Sequence, residues 1–167
     1  KKYTSKVIVE KGNVCVARDI GLRIAKGQII VGADADTVYP KEYLQEVWKF
    51  FQENPNAVGV CGPVRLEDCP WWASLYWAWG RTSIEVWYRL TGKVIYAFGL
   101  NLAYKKNVLL ELGGYNRSLD FGGDELDILS RLQKKGRFFY SKSLFPTTNG
   151  RRFKVGIIKY FTKYLIT

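Results

Sequence analysis

Two carboxylates, Asp34 and Asp36, stand one residue apart directly after an apolar run that ends at Ala33. On an extended backbone the side chains of residues i and i+2 point to the same side, so we expect both carboxylates to aim at one point. Two like charges held together require a cation. Hard oxygen ligands favour Mg²⁺ or Mn²⁺, which bind one or two carboxylates together with phosphate oxygens. The pair therefore predicts a metal-bound diphosphate, although Asp after a strand also serves local turn hydrogen bonds.

A second acidic group opens a predicted helix over 124–135 and consists of Asp124, Glu125 and Asp127. The chain contains no His, which excludes Ser-His and Cys-His catalysis and leaves carboxylates as the acid-base groups near neutral pH. Asp127 precedes Arg131 by four residues, and an i, i+4 surface pair is its simpler explanation. Asp124 follows two glycines, so helix N-cap is an alternative role for it.

The elements that must position these groups alternate between strands and helices. We predict strands at 7–9, 28–33, 57–66, 95–104 and 137–140. We predict helices at 16–25, from Pro40 to the turn at 53–56, and at 71–90, 108–112 and 124–135. The order predicts one α/β domain with a mixed, mostly parallel sheet flanked by helices. Ligands in open α/β sheets bind beyond the carboxyl ends of the strands, which is where Asp34 and Asp36 fall.

Two blocks of the sequence resemble one enzyme family. The segment ARDIGLRIAKGQIIVGADADTVYP is similar to the part of family-two glycosyltransferases with the GT-A fold that reads Ala-Arg-Asn-x-Gly, helix, Lys-Gly, apolar strand, Asp-x-Asp-Thr. The block GLNLAYKKNVLLELGGYNRSLDFGGDELDILSRLQKKGR resembles the acceptor-side half of the same family. The resemblance implies a donor and metal half over 1–66, an acceptor and catalytic-base half over 67–150, and a basic amphipathic tail over 151–167.

The resemblance also implies a reaction, the inverting transfer of a sugar from a nucleotide diphosphate to an acceptor hydroxyl of a glycan, lipid or protein. Mn²⁺ or Mg²⁺ on Asp34 and Asp36 would stabilise the leaving diphosphate, and a carboxylate would accept the hydroxyl proton. The family usually has Glu-Asp at the base position, whereas this chain has Asp124-Glu125. Register favours Glu125 and residue type favours Asp124, and we take Asp124 as the first candidate.

Further donor-binding residues follow from the same resemblance. Arg18 corresponds to a family Arg near the donor phosphates, where its planar fork suits bidentate binding, or it is a surface Arg. Arg151 and Arg152 would fold over the diphosphate, or they belong to a solvated basic loop. Gly99 and Asn101 would face the donor sugar, although a glycine at a strand bend needs no ligand to explain it.

Aromatic residues and the tail raise the question of a membrane. Five of the six tryptophans lie between Trp71 and Trp87, mostly on a stripe that we expect to be core: Trp72, Tyr76, Trp79, Ser83, Val86 and Leu90. Trp71, Trp77 and Tyr88 fall off this stripe and suit stacking on an acceptor sugar or a membrane interface. The tail over 154–166 is amphipathic and rich in Lys, which suits an in-plane helix on an anionic membrane surface.

Localisation is predicted from composition. No run is long enough to cross a bilayer, no signal peptide is recognised, and three cysteines without paired spacing indicate reduced thiols. We therefore expect a cytoplasmic protein with peripheral membrane contact. Family members normally begin with a strand, a Pro-x-Tyr-Asn type turn and a helix that hold the nucleotide base. Nothing before Val7 resembles these, so we expect either that this unit is absent from the 167 residues or that the opening is atypical, and the donor base and sugar are not predicted.

Two other functions remain as alternatives, and the formal net charge of +11 supports the first of them. A basic, aromatic-rich chain also suits a non-catalytic nucleic-acid-binding domain. Acidic residues gathered at strand and helix ends argue against it, because they repel a phosphate backbone, and we expect no nucleic-acid partner. The other rival is a degenerate transferase that retains the fold without the activity.

Overall fold

The computed structural model describes residues 8–9, 11–119 and 123–165, the last three as backbone only. The helices are α1 (Val14–Ile24), α2 (Tyr43–Glu53), α3 (Trp71–Thr91), α4 (Lys106–Glu111), α5 (Asp124–Lys135) and α6 (Ile157–Leu165). The strands are β1 (Ile29–Val31), β2 (Thr37–Val38), β3 (Ala57–Cys61), β4 (Arg65–Glu67), β5 (Leu102–Lys105), β6 (Arg137–Tyr140) and β7 (Thr147–Asn149). Short 3₁₀ helices cover Gly99–Asn101 and Arg151–Val155.

The strands form two mixed sheets. The larger sheet has the order β1-β5-β3-β6, and the smaller one has the order β2-β7-β4. In the larger sheet β1, β3 and β6 run in one direction, while β5 runs the opposite way between β1 and β3. The predicted α/β class with a mixed sheet is therefore confirmed. The prediction of a mostly parallel sheet is correct in that three of the four strands run in the same direction. It is not correct for strand pairing, because the reversed β5 makes two of the three neighbouring pairs in that sheet antiparallel.

Helices cover both faces of the larger sheet, as the continuous apolar strands predict. One hydrophobic cluster joins Leu22 of α1, Leu109 of α4 and Leu132 of α5 to Phe138 of β6. The other joins the buried face of α2, which comprises Tyr43, Val47 and Phe51, to β3 and to Leu144. Every residue of β3 is buried, so this strand is the centre of the core.

Several predicted boundaries are corrected. The predicted strand 57–66 is split into β3 and β4 around Gly62, where an added Cβ would lie 2.2 Å from the Leu144 carbonyl oxygen. Only the end of the predicted strand 95–104 pairs, as β5. The helix expected from Pro40 begins at Tyr43, because Pro40 first accepts a turn hydrogen bond from the Tyr43 amide at 3.0 Å. Residues 8–9 are not in a strand, and Val7 lies outside the described residues.

The core-facing side of α3 differs from the prediction. Trp79 and Leu90, expected in the core, are 70% and 79% exposed. The fully buried residue at the start of the helix is Ala73. The partly buried aromatics are Trp72, which was expected on the core stripe, and Trp77 and Tyr88, which were expected off it. Because α3 is apolar around most of its circumference, its periodicity does not decide which face is buried. Among the described residues, no helix combines the length and apolarity needed to cross a bilayer.

Candidate active site

The topology brings four elements to one edge of the larger sheet. The start of β5 lies at the edge where β1 and β3 end, since Ala103 pairs with Val31 and Leu102 pairs with Cys61. Helices α1 and α5 each precede a strand of the forward direction, so each begins at this same edge. The edge therefore collects the residues after β1, those before β5 and the first turns of α1 and α5.

A cavity of about 290 Å³ opens at this edge. Its polar and charged wall consists of Arg18, Asp34, Asp36, Asp124, Glu125, Thr148, Asn149 and Arg152, with Gly99 between them. Its aromatic wall consists of Trp77, Tyr96, Phe98, Phe153 and Tyr160. The structure thus gathers seven of the nine predicted site residues around one space, and Asn101 and Arg151 are the two that do not line it.

Asp34 and Asp36 reach the cavity from a turn. β1 ends at Val31, and the Thr37 amide donates to the Asp34 carbonyl at 3.3 Å, so the extended geometry expected for the pair is wrong. Tyr39 fixes the turn, because its hydroxyl accepts from the Asp34 amide at 3.3 Å and donates to the Leu100 carbonyl at 2.6 Å. Burial raises the pKa of Tyr39, which keeps this hydroxyl protonated as the bond to Leu100 requires.

The two strand-end carboxylates differ in their partners. Asp36 Oδ2 lies 3.0 Å from Arg151 Nη2, whereas no ion pair among the described residues involves Asp34. Both carboxylates are hard oxygen donors. Asp36 already forms an ion pair with a cation, the guanidinium of Arg151. The donor set therefore fits Mg²⁺ or Mn²⁺, with the remaining ligands taken from water or phosphate. Three acidic or Cys side chains do not converge on one point anywhere in the described chain.

Arg18 bridges the second acidic group. Its guanidinium Nη1 contacts Asp124 Oδ2 and lies 3.3 Å from Glu125 Oε1. Helix α1 positions it, beginning after Asn13, whose side chain accepts from the Val16 amide at 3.0 Å and thereby caps the helix. The structure therefore places Arg18 on the predicted base carboxylates as well as on the cavity wall.

Asp124 is the first residue of α5, and its carboxylate is almost fully buried. The N-cap is Gly123, so the alternative of Asp124 as helix N-cap is wrong. Asp127 accepts from Arg131 Nε at 3.0 Å, which confirms the predicted i, i+4 pair. Asp127 is absent from the cavity wall, and the acidic group reduces to Asp124 and Glu125.

Burial and neighbouring charges shift the pKa values of Glu125, Arg18 and Tyr96. Burial raises the pKa of Glu125, and the hydrogen bond and the charge of Asp124 raise it further, while Arg18 lowers it in part. Burial alone would lower the pKa of Arg18, but the carboxylates of Asp124 and Glu125 raise it above its ordinary value. The pKa of Tyr96 is raised to about 12 by burial and by the charges of Glu125 and Asp124. The site therefore holds one permanent cation, Arg18, beside a glutamate whose pKa is raised.

Position 99 requires a glycine because the side chains of Arg18 and Glu125 lie close to its backbone. A Cβ at this position would lie 2.7 Å from both Arg18 Nη2 and Glu125 Oε1. The glycine thus lets the segment before β5 approach the Arg18 and Glu125 side chains. Its predicted place at the site agrees with the geometry, although the contacts in this structure are to Arg18 and Glu125.

The donor-binding prediction for Asn101 is corrected. Asn101 is fully buried, accepts from the Tyr43 hydroxyl at 2.6 Å, and donates to the carbonyls of Pro63 and Leu144 at 2.9 and 2.8 Å. With its side-chain oxygen and both amide hydrogens engaged, it ties three segments together below the cavity. It is a structural residue of the fold.

Asp19 is a charged residue whose role the sequence reasoning missed. It is fully buried and accepts from the Tyr115 amide at 3.0 Å, from Arg23 Nε at 2.8 Å and from Arg117 Nη2 at 2.7 Å. Burial would raise the pKa of Asp19, but these donors lower it overall. The signal was its place next to Arg18 in the ARDIG motif, where the family pattern has Asn. Asp19 fastens α1 to the segment that leads towards α5.

A relative of known function and a solved structure are similar to this chain. A glucosyl-dolichyl phosphate glucuronosyltransferase from Haloferax volcanii is 24% identical over 125 residues, covering 70% of this chain and 38% of the relative. A mannosyltransferase from Pyrobaculum calidifontis, solved in complex with GDP-Man and Mn²⁺, superposes with a TM-score of 0.60 at 18% identity, covering 95% of this chain and 45% of that one. The chain thus spans less than half the length of either relative, and the predicted GT-A fold is confirmed. The family described as glycosyl transferase family 2 matches residues 2–113, and the chain belongs to this family.

Proposed function

We propose that this chain transfers a sugar from a nucleotide diphosphate to an acceptor hydroxyl, with inversion at the anomeric carbon and dependence on Mn²⁺ or Mg²⁺. One observation carries the proposal: the strand-end carboxylates Asp34 and Asp36 share a single cavity with the Arg18-bound pair Asp124 and Glu125. A direct displacement needs stabilisation of the leaving group and a base for the attacking hydroxyl, and the cavity has residues suited to each.

Asp34 and Asp36 would hold the metal. When bound, the ion supplies Lewis-acid stabilisation of the departing diphosphate. Arg151 forms an ion pair with Asp36, and Arg152 lines the cavity that contains Asp34 and Asp36. Both guanidinium groups are therefore within reach of a bound diphosphate. Arginine binds phosphate oxygens through two parallel hydrogen bonds, which adds orientation to the charge.

Asp124 and Glu125 form the base of the proposed reaction. Burial and the neighbouring Asp124 raise the pKa of Glu125, which increases its affinity for a proton. Arg18 fixes the orientation of both carboxylates through Nη1 and keeps the pair from repelling the rest of the site. Asp124 remains the first candidate for the atom that accepts the hydroxyl proton, with Glu125 as its hydrogen-bonded partner.

The donor and acceptor classes are further parts of the proposal. A second depression of about 400 Å³ runs along β1 and shares Arg18, Asp34 and Gly99 with the cavity. The joined space suits an elongated ligand such as a nucleotide diphosphate sugar. The GDP-Man in the Pyrobaculum structure supports a nucleotide-sugar donor, and the glucosyl-dolichyl phosphate in the name of the Haloferax relative supports an acceptor hydroxyl carried on a lipid. A cytoplasmic location with peripheral membrane contact belongs to the same proposal.

Calorimetry with UDP and GDP, each with and without Mn²⁺, tests the donor site. We expect binding that requires Mn²⁺ and that is lost in Asp36→Ala. The matched control is Asp68→Ala, which removes an exposed carboxylate from an ion pair with Lys154, outside the cavity. Oligonucleotide binding that depends on salt but not on Mn²⁺ would overturn the proposal in favour of nucleic-acid binding. Metal-dependent nucleotide binding without sugar transfer from a panel of UDP- and GDP-sugars would identify a degenerate transferase.

A further inference from the structure

An apolar stripe runs along the exposed side of α3. Its members recur at helical spacing and are between 48% and 79% exposed: Trp71, Leu75, Trp79, Val86 and Leu90. Residues at these spacings lie on one face of a helix, within an arc of roughly 100°. Single exposed apolar side chains are ordinary, but five on one helix face form a patch of the kind that marks an interaction site.

Helix α6 adds to this surface. Its rings pack on the first half of α3, since the Phe161 ring centroid lies 5.5 Å from that of Tyr76 and the Tyr160 centroid lies 6.1 Å from that of Trp72. This packing places two further exposed side chains, Ile157 and Ile158, beside α3. The surface therefore spans two adjoining helices.

The charge around these helices is positive. Glu85 is the one carboxylate among the 21 residues of α3, and Arg89 and Lys142 each approach it to 2.6 Å. Lys159 is exposed in the first turn of α6, Lys154 is exposed just before this helix in an ion pair with Asp68, and the chain as a whole carries +11. A surface with this charge attracts anionic lipid headgroups and repels a second copy of itself.

We propose that α3 and α6 form a docking surface for an anionic phospholipid bilayer, with Trp71 and Trp79 at the boundary between headgroups and acyl chains. Tryptophan favours this boundary because its ring is apolar and its N–H is polar. In-plane helices bind by combining an apolar face with basic flanks, and α3 and α6 have both. Docking is a binding property and stands independently of the proposed reaction.

The two helices also contribute to the aromatic wall of the cavity. Trp77 of α3 and Tyr160 of α6 line it beside Tyr96, Phe98 and Phe153, with Trp77 on the side of α3 opposite the exposed stripe. Docking would bring the cavity close to the lipid headgroups. This consequence rests on the proposed function, because it concerns how a lipid-borne acceptor hydroxyl reaches Asp124.

Sedimentation with vesicles tests the docking. The probes are vesicles of phosphatidylcholine alone and of phosphatidylcholine with phosphatidylglycerol, at low and high salt. We expect binding to the anionic vesicles that weakens with salt, and weakening on the order of tenfold or more in Trp71→Ser/Trp79→Ser. The matched control is Trp48→Ser, since Trp48 is 58% exposed on α2, which packs on the other hydrophobic cluster. Binding by this control should equal that of the unchanged chain.

Two further measurements keep the proposal open to refutation. Quenching of tryptophan fluorescence by brominated lipid should persist in Trp48→Ser and fall in the double variant, and Ile158→Ser should weaken binding from the second helix. Equal vesicle binding by all variants, or no binding, would overturn the proposal. So would a dimer in analytical ultracentrifugation that dissociates in Trp71→Ser/Trp79→Ser, because the surface would then be a self-association interface. Nucleotide binding with Mn²⁺ should be unchanged in the double variant, which separates this test from that of the proposed function.

Discussion

Arg151 and Asp36 form an ion pair in which Nη2 lies 3.0 Å from Oδ2. The pair connects the segment before α6 to the turn after β1, and it places a guanidinium on a carboxylate proposed to bind a metal ion. Its side chains are 65% and 33% exposed, so solvent screens the attraction. Exposed pairs of this kind contribute about 0.2–1 kcal/mol, so a divalent ion is able to displace Arg151.

Arg151→Ala should therefore have opposite effects on two ligands. Mn²⁺ alone should bind about two- to fivefold more tightly, because the competing guanidinium is gone. Nucleoside diphosphate with Mn²⁺ should bind more weakly, because the displaced Arg151 no longer contacts the diphosphate. Titration of free Mn²⁺ by electron paramagnetic resonance and calorimetry with GDP measure the two effects. Lys154→Ala removes the same charge from an ion pair with Asp68 and should change neither; equal effects of both substitutions would show that only net charge matters.

Gly99→Ala tests the contact between the glycine and the base carboxylates. The added Cβ would lie 2.7 Å from Arg18 Nη2 and from Glu125 Oε1, so one of these side chains must move. We expect a loss of about 1–3 kcal/mol in the free energy of unfolding and a fall of at least about tenfold in donor turnover. Denaturant unfolding and release of nucleotide from the donor sugar measure the two effects. Gly80→Ala in α3 is the control: its Cβ meets nothing within 4 Å, so it should stabilise the chain by about 0.5–1 kcal/mol and leave turnover unchanged.

Asp124→Asn tests the proposed base. The amide keeps the shape of the side chain but does not accept the hydroxyl proton, so transfer should fall by about 10²–10⁴-fold. Nucleotide binding with Mn²⁺ should stay within about twofold, because Asp124 is not a metal ligand in the proposal. Turnover of a nucleotide sugar and calorimetry with the nucleotide separate the two quantities. Transfer at the unchanged rate would remove Asp124 from this role.

The sequence predicts the elements with strong local signals. Helix α5 and strand β6 have the bounds 124–135 and 137–140 that were expected, because an acidic first turn opens the helix and Gly136 separates it from the strand. The gathering of Asp34, Asp36, Asp124 and Glu125 at one sheet edge also follows from their positions at element ends. Local chemistry therefore indicates these four acidic residues, whereas Arg18, Gly99 and Arg152 were expected from the family resemblance.

The features that the sequence does not predict depend on packing between residues that are distant in the sequence. The reversed β5 between β1 and β3 depends on pairing between residues some 70 positions apart, such as Ile30 with Tyr104. The family resemblance predicts Asn101 at the donor, whereas its hydrogen bonds are to Pro63 and Leu144 in distant segments. The buried face of α3 is decided by what packs on it, such as the stacking of Trp77 on Phe98. None of these partners leaves a periodic pattern in the sequence.

The raised pKa of Glu125 predicts how stability depends on pH. Because burial and Asp124 raise its pKa in the folded state, the native chain binds more protons than the unfolded chain between about pH 4.3 and the raised value. The stability that protonated Glu125 confers at low pH is therefore lost as the pH rises through this window. Glu125→Gln does not titrate, so its melting temperature should gain on that of the unchanged chain across the same window and then level off. Thermal unfolding by circular dichroism measures this, and a constant difference at all pH values would contradict the assignment.

Asp19→Asn should be the most destabilising of the carboxylate substitutions at neutral pH. Asp19 is fully buried and binds Arg23, Arg117 and the Tyr115 amide, so loss of its charge weakens several charge-assisted hydrogen bonds, by about 2–3 kcal/mol in total. Its lowered pKa means that this contribution is present above the unfolded value of about 3.9 and is lost as pH falls through the folded pKa. Denaturant unfolding at a series of pH values should show the gap between the two proteins closing in acid. Asp127→Asn, which weakens a partly exposed i, i+4 pair with Arg131, should cost only about 0.5 kcal/mol; an equal cost for both would mean that burial of Asp19 adds nothing.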